Sequence, residues 1–256
     1  MQRSQLLHGV CLGLLFSPLL PAASAVECRA VSGPQRVALL ELYTSEGCSS
    51  CPPADLWLSQ LGAQGFTADR VIPLAFHVDY WDYIGWRDRF TDPAFTLRQR
   101  EIARLSGSRV VYTPQVTLNG RDFPRWSHAT QFAQQFANTK QAATANIQVK
   151  FTRLASDRLE AQVSVSGQKQ NLVLYLALYE NDLKSTVESG ENAGRTLRHD
   201  YVVREWRGPH PVGSTPWVQS LQLKSEWQNA KMGVVIFVQN PVSGEVVQAM
   251  TSKICG

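Results

Sequence analysis

ELYTSEGCSSCPPADLWL (residues 41–58) leaves an apolar stretch, passes two cysteines separated by two residues, and enters a pair of prolines followed by a helix-like segment. A Cys-x-x-Cys admits three chemistries: electron exchange, metal ligation or a fixed crosslink. Its flanks define the fold expected around it. RVALLELY (36–43) reads as a buried strand, and 53–61 as a helix with Trp57, Leu58 and Leu61 apolar, stopped by Gly62. VIPLAFHV (71–78) is a second apolar strand. In TDPAFTLRQREIARLSG (91–107), Asp92 suits the N-cap, Pro93 the first helical position and Gly107 the position after the C-cap. PQVTLNGRDF (114–123) reads as a hairpin turning on Asn119-Gly120, and Ser127 caps a helix reaching about residue 140. The order β-α-β-α-β-β-α predicts a sheet covered by helices.

From residue 146 the pattern changes to period two. NIQVKFTR (146–153) and LEAQVSVSG (159–167) alternate apolar and polar side chains. NLVLYLALYE (171–180), TLRHDYVVREW (196–206), WVQSLQLK (217–224), MGVVIFVQ (232–239) and GEVVQAM (244–250) follow. Seven short strands punctuated by turns predict an all-β sandwich over 146–256, separated by the polar, alanine-rich 138–146 from an α/β domain over 26–142.

The first 25 residues read as a cleaved secretory leader: Arg3 ahead of the apolar VCLGLLFSPLLPA (10–22), then Ala23-Ser24-Ala25. The apolar run is shorter than the roughly 20 residues that span a bilayer, so export to the periplasm or beyond is expected, with no membrane span in the mature chain. Removing the leader takes one arginine and no acid, changing the net charge from +4 to +3. That mild excess forms no basic run, so nucleic acid is not an expected partner. No G-x-S-x-G, P-loop or G-x-G-x-x-G occurs, which removes support for hydrolase, phosphoryl and dinucleotide chemistry.

Export also bears on the cysteines. Cys11 falls inside the leader, leaving Cys28, Cys48, Cys51 and Cys255. An even number in an oxidising compartment predicts disulfides. Cys28 and Cys255 stand at the two ends of the mature chain, and chain ends often lie close together. The expected pairing is Cys28–Cys255 and Cys48–Cys51. A pair at a helix start sits beside unpaired N–H groups and a positive dipole end, which favour thiolate. Cys48, the N-terminal and more exposed thiol, is then the attacking nucleophile and Cys51 the resolving one. Pro52 and Pro53 push the helix start to residue 52 or later, nearly a turn from Cys48.

A strand, a Cys-x-x-Cys at a helix start and a Thr-Pro just before a hairpin resemble the thioredoxin fold over about residues 35–142. The resemblance implies a thioredoxin-like α/β domain, a cis bond at Thr113-Pro114, and a substrate groove shaped by Pro114. It further implies thiol–disulfide exchange with protein or small thiol partners, needing no cofactor. Thioredoxins bury an acid beneath the pair; the matching position is Leu42, while Glu41 faces the other side of the strand. LYTSEGCSSCPPAD (42–55), FHVDYWDYIGWRDRF (76–90), YTPQ (112–115) and ENAGRTLRHDYVVREW (191–206) are also similar to the recurring phrases of an exported bacterial family, domain of unknown function 1223.

Other residues admit two readings each. His77, Asp79, Trp81, Asp82 and Trp86 either line a groove beside Thr113 and Pro114 or form a self-packed connection. His77 is a candidate base or a satisfied structural histidine. Cys48, Cys51 and His77 together offer soft ligands for copper or zinc, although no second cysteine pair supports that set. Asn192, Gly194, Arg195, His199 and Asp200 either shape the cysteine site or fix the second half against the first, the latter favoured by placement. The alternative to exchange is a binding or structural module in which Cys48–Cys51 is a fixed staple.

Overall fold

The first strand among the described residues, β1 (Glu27–Val31), alternates in exposure, whereas β2 (Ala38–Thr44) is buried at every residue. A computed structural model describes residues 26–137 and 139–254; the expected leader and Cys255 lie outside the described residues. Helix α1 (Pro52–Gln60) begins at the first proline, as a missing N–H is tolerated there. Cys51 is nevertheless helical in its backbone angles and accepts from Ala54 N–H at 2.8 Å. β3 (Val71–His77) is parallel to β2, pairing Thr44 with His77 at their carboxyl ends. A 3-10 segment, Asp79–Ile84, closes on Gly85 at φ 97°. Helix α2 (Pro93–Leu105) is capped by Asp92, whose side chain accepts from Ala94 N–H at 2.8 Å. β4 (Gln115–Leu118) and β5 (Arg121–Asp122) turn on Asn119 and Gly120 at φ 51° and 77°, the positive angles a two-residue hairpin demands. Helix α3 (Ala129–Ala137) completes the first half.

The second half contributes β6 (Ala145–Ala155), β7 (Arg158–Gly167), β8 (Val173–Glu180), β9 (Leu183–Thr186), β10 (Thr196–His199), β11 (Val202–Pro211), β12 (Trp217–Gln222), β13 (Met232–Gln239) and β14 (Val246–Lys253). The expected strand 196–206 is broken in two by Tyr201 at φ 57°, and β9 pairs with its first piece as a separate hairpin. That hairpin rests against α1, and it delivers His199 to the cysteine loop.

The expected architecture, a thioredoxin-like domain followed by a separate sandwich, is overturned by the sheet. One eight-stranded sheet runs in the order β14-β13-β8-β11-β3-β2-β4-β5 and takes four strands from each half. The seam is β11 against β3, parallel, with Val202 opposite Ala75. β1 leaves the first half and pairs antiparallel with β6, forming a second sheet in the order β1-β6-β7-β12. The expected linker is itself tied down, with Arg36 N–H donating to Gln141 O and Ala143 N–H to Pro34 O. The reason is visible in burial: all eight residues of β13 and most of β8 are covered on both faces, as suits interior strands of a large sheet.

Three cores follow. α2 covers one face of the long sheet, where Phe76, Phe95, Tyr175 and Phe237 meet. On the opposite face α1 and α3 cover the β2–β4 end around Leu42, Leu58 and Phe132. The four-stranded sheet covers the remainder around Phe151, Leu176 and Ile236. Glu41 faces α2, where it pairs with the buried Arg98 at 3.0 Å; Leu42 faces α1. Among the described residues no helix is long and apolar enough to cross a membrane.

Candidate functional site

The cysteine loop leaves the carboxyl end of β2, where parallel strands of an α/β arrangement commonly present functional groups. Cys48 and Cys51 are joined as a disulfide, with Cα atoms 5.4 Å apart. Cys48 is 1% exposed and Cys51 fully buried, while Ser49 and Ser50 between them lie open to solvent. The expected exposure of Cys48 is therefore not realised. A segment between β9 and β10 covers the loop. Ser49 N–H donates to the Glu191 carboxylate at 2.9 Å, and the Ser49 hydroxyl together with this N–H holds the carboxyl below its ordinary range. Asn192 is wholly buried and donates from Nδ2 to the carbonyls of Glu46 and Cys48 at 2.8 and 3.0 Å. Arg195 donates to Asn192 Oδ1 at 2.6 Å, orienting the amide.

Next to the loop is a buried cluster of three carboxylates and two imidazoles: Glu46, Asp55, Asp88, His77 and His199. Each arrives on a different element. Glu46 belongs to the cysteine loop, Asp55 to the first turn of α1, His77 to the end of β3, Asp88 to the loop after the 3-10 segment, and His199 to β10. His77 Nδ1 contacts Asp88 Oδ2 at 2.6 Å, and the same oxygen accepts from Glu46 N–H at 2.9 Å. Asp88 Oδ1 accepts from Phe90 N–H at 2.9 Å. Glu46 Oε2 accepts from Trp86 Nε1 at 2.8 Å, and Asp55 Oδ2 from Thr44 Oγ1 at 3.0 Å. His199 stands between two acids, Nε2 at 3.3 Å from Glu46 and Nδ1 at 3.7 Å from Asp55. These are ion-pair separations rather than well-formed hydrogen bonds.

Electrostatics follow from the packing. Burial pulls the His199 imidazolium down, but Asp55 and Glu46 outweigh it and push the group up to about 10. Burial likewise raises Glu46 and Asp88, yet His199 beside the first and His77 beside the second hold both carboxyls below their usual range.

The structure assembles part of the expected set. Trp81 Nε1 donates to Thr113 Oγ1 at 2.7 Å, and the Thr113-Pro114 bond is cis. Trp81 also lies against Gly47: a Cβ there would meet Trp81 Cβ at 3.2 Å and Ile84 Cδ1 at 3.3 Å, so the loop approaches the aromatic segment closely. Asp79 instead turns to α2, accepting from Thr96 Oγ1, and Asp82 accepts from Asp88 N–H at 3.2 Å. His77 is wholly buried rather than groove-lining. A sulfur-rich Cys48, Cys51 and His77 ligand set is not assembled, since both sulfurs are bonded to each other. Cys28 is disulfide-bonded; Cys255, its expected partner, lies outside the described residues. Asn192 and His199 do face the cysteine site, while Asp200 turns away to accept from Asp182 N–H at 2.8 Å. Sequence pattern does not single out Glu46, Asp55 and Asp88, although each sits within a quoted phrase and Glu46 and Asp55 lie close on either side of the cysteine pair.

Comparison with known proteins adds family and fold. No curated protein matches the chain. It is similar to the crystal structure of protein AGR_C_4864 from Agrobacterium tumefaciens, at 26% identity over 86% of this chain and 95% of that one, with a TM-score of 0.55. It is also similar in fold to HBP35 of Porphyromonas gingivalis, at 14% identity over 87% and 76% of the two chains and a TM-score of 0.64. The pattern described as "Protein of unknown function (DUF1223)" matches residues 39–239, a span holding the cysteine loop, both imidazoles and Asn192, and the chain belongs to that family.

Proposed function

We propose that Cys48 and Cys51 cycle between disulfide and dithiol in exchange with protein or small-molecule thiols, in the periplasm or outside the cell. The observation that carries this reading is the position of the bridge: it stands at the head of α1, under two exposed serines, held closed by a hydrogen bond from Ser49 N–H to Glu191 and by those Asn192 donates. Its value as a staple is small. A loop of four residues restrains the unfolded chain by about 2 kcal/mol, against about 4.7 for a loop of 100.

In the reaction a partner thiolate attacks Cys48 Sγ and the Cys48–Cys51 bond breaks, its electron pair going to Cys51 Sγ. A second partner thiolate then attacks the partner sulfur of the mixed disulfide and releases Cys48 as thiolate. The partner leaves oxidised and the protein reduced by two electrons. The segment carrying Glu191 and Asn192 must lift for the attacking sulfur to reach Cys48. Trp81, Thr113 and Pro114 border the groove that receives it.

The competing reading, a permanent crosslink, is favoured by the burial of both sulfurs. Equilibration with glutathione buffers, with Cys48→Ser as control, separates the two. A potential between about −120 and −270 mV with exchange in minutes supports the redox reading. A potential below about −300 mV, or no exchange, refutes it.

A further inference from the structure

The two histidines beside the cysteine loop are arranged in a way the redox reading does not use. His77 has one ring nitrogen on Asp88, and its other nitrogen, Nε2, is buried with no hydrogen-bond partner. His199 has Nε2 beside Glu46, and neither of its nitrogens makes a formed hydrogen bond. The rings meet nearly edge to face, 81° apart with centroids separated by 4.9 Å. One donor atom from each of Asp55, His77 and His199 lies within 4.8 Å of the others, and all three residues are buried.

We propose that Asp55, His77 and His199 form a binding site for a divalent transition-metal ion, bound through His77 Nε2, His199 Nδ1 and a carboxylate oxygen of Asp55. Asp88 and Glu46 orient the two rings from behind. The proposal stands independently of disulfide exchange.

Four features support it. First, the outer contacts match those that ligating histidines require. Such a ring donates its second N–H to a carboxylate, which sets the tautomer and strengthens the ligand. Here His77 Nδ1 has Asp88 at 2.6 Å, a formed bond, while His199 Nε2 stands at the ion-pair separation of 3.3 Å from Glu46, within a small shift of one; the two acids are themselves held by Phe90 N–H and Trp86 Nε1. Second, the spacing fits an ion. Donors bonded tetrahedrally at about 2.0–2.1 Å stand roughly 3.4 Å apart. His199 Nδ1 and Asp55 Oδ1 are 3.7 Å apart, long for a hydrogen bond and within a small shift of a shared metal. Third, a proton cannot do the same work at His77. An N–H at its Nε2 would find no acceptor, whereas a metal uses that lone pair. Fourth, there is a way in. A cleft of about 430 Å3, bordered by Pro52 and Arg195, reaches Asp55 and His199, two of the three ligands, from solvent.

The donor set, two imidazoles and one carboxylate, suits zinc, iron(II), cobalt(II) or nickel(II) and disfavours calcium and magnesium, which take oxygen ligands. Three protein ligands leave at least one coordination position for water or another ligand, the pattern of reactive rather than purely structural sites.

The test is titration of the purified, chelator-stripped protein with Zn2+ by calorimetry and with Co2+ by absorption. The expected result is one ion per chain, with cobalt d–d bands of the intensity given by four or five ligands. His199→Ala and Asp55→Asn should each weaken binding at least 100-fold, and Asp88→Asn about 10- to 100-fold through His77. Cys48→Ser should bind as the wild type does, which separates this site from any thiolate site and from failure of the redox reading. Wild-type protein that takes up neither ion at micromolar concentration would overturn the proposal without recourse to any variant, leaving His199 as an imidazolium between two acids. Retention of stoichiometric binding by the folded His199 and Asp55 variants would overturn it equally.

Discussion

Replacing Asn192 with alanine removes its two hydrogen bonds to the cysteine loop while leaving the Ser49–Glu191 bond and every sulfur in place. Asn192 Nδ2 serves the carbonyls of Glu46 and Cys48 at 2.8 and 3.0 Å, in a site closed to water. Each lost partner of a buried acceptor costs about 1–3 kcal/mol unless water replaces it. Truncation opens space beside these carbonyls, so the lower part of that range applies and the closed loop loses about 2–3 kcal/mol. If reduction of Cys48–Cys51 requires the covering segment to lift first, the open population rises by the corresponding factor, about 30- to 150-fold. The assay is the rate of disulfide reduction by dithiothreitol at low concentration, followed by alkylation and mass spectrometry, with global stability measured in urea on the same samples. A rise of that size with the folded population unchanged is the expected outcome. A variant that loses stability in urea but reduces at the wild-type rate would refute the argument, because the segment would then not gate access.

Other parts of the molecule give sharper tests of the fold. Arg98 is enclosed by Tyr175, Trp206 and Phe237 and pairs with Glu41 at 3.0 Å, so Glu41→Leu alone should cost about 3–5 kcal/mol in urea unfolding by stranding a charge; joining it to Arg98→Met should recover most of that loss. Gly233→Ala would place a methyl 2.4 Å from the Tyr179 ring and should destabilise by about 1–3 kcal/mol, less so when Tyr179→Ala is also present, as a double-mutant cycle would report. Burial raises the Glu205 carboxyl above its unfolded value, so the folded state holds its proton longer and stability falls as pH climbs from about 4 through the raised value; in Glu205→Gln, urea midpoints taken between about pH 4 and 7 should show a shallower decline.

Short-range chemistry was legible along the chain. Asp92 before Pro93 caps α2 because an acceptor there meets an unpaired N–H whatever lies elsewhere. Asn119-Gly120 turns the β4–β5 hairpin because both positions need positive φ. Glu41 and Leu42 face opposite sides because a strand alternates. Cys48 and Cys51, three positions apart, are bonded to one another, as their spacing and expected compartment indicated. The phrases around the cysteines also identified the family. What no local pattern encodes is which strand lies beside which. β11 joins β3 through Val202 and Ala75, residues 127 positions apart by number, and that pairing turns two expected domains into one sheet. Period two misled because β8 and β13 look like sandwich strands until both of their faces are seen to be covered. The polar cluster was hidden for the same reason. Glu46, Asp55, His77, Asp88 and His199 come from five separate elements, and only the sheet seam and the β9–β10 hairpin bring His199 against the others. Local sequence sets backbone angles, caps and faces through contacts a few residues apart, whereas a buried charge cluster depends on long-range pairing, which is decided by the burial of whole strands.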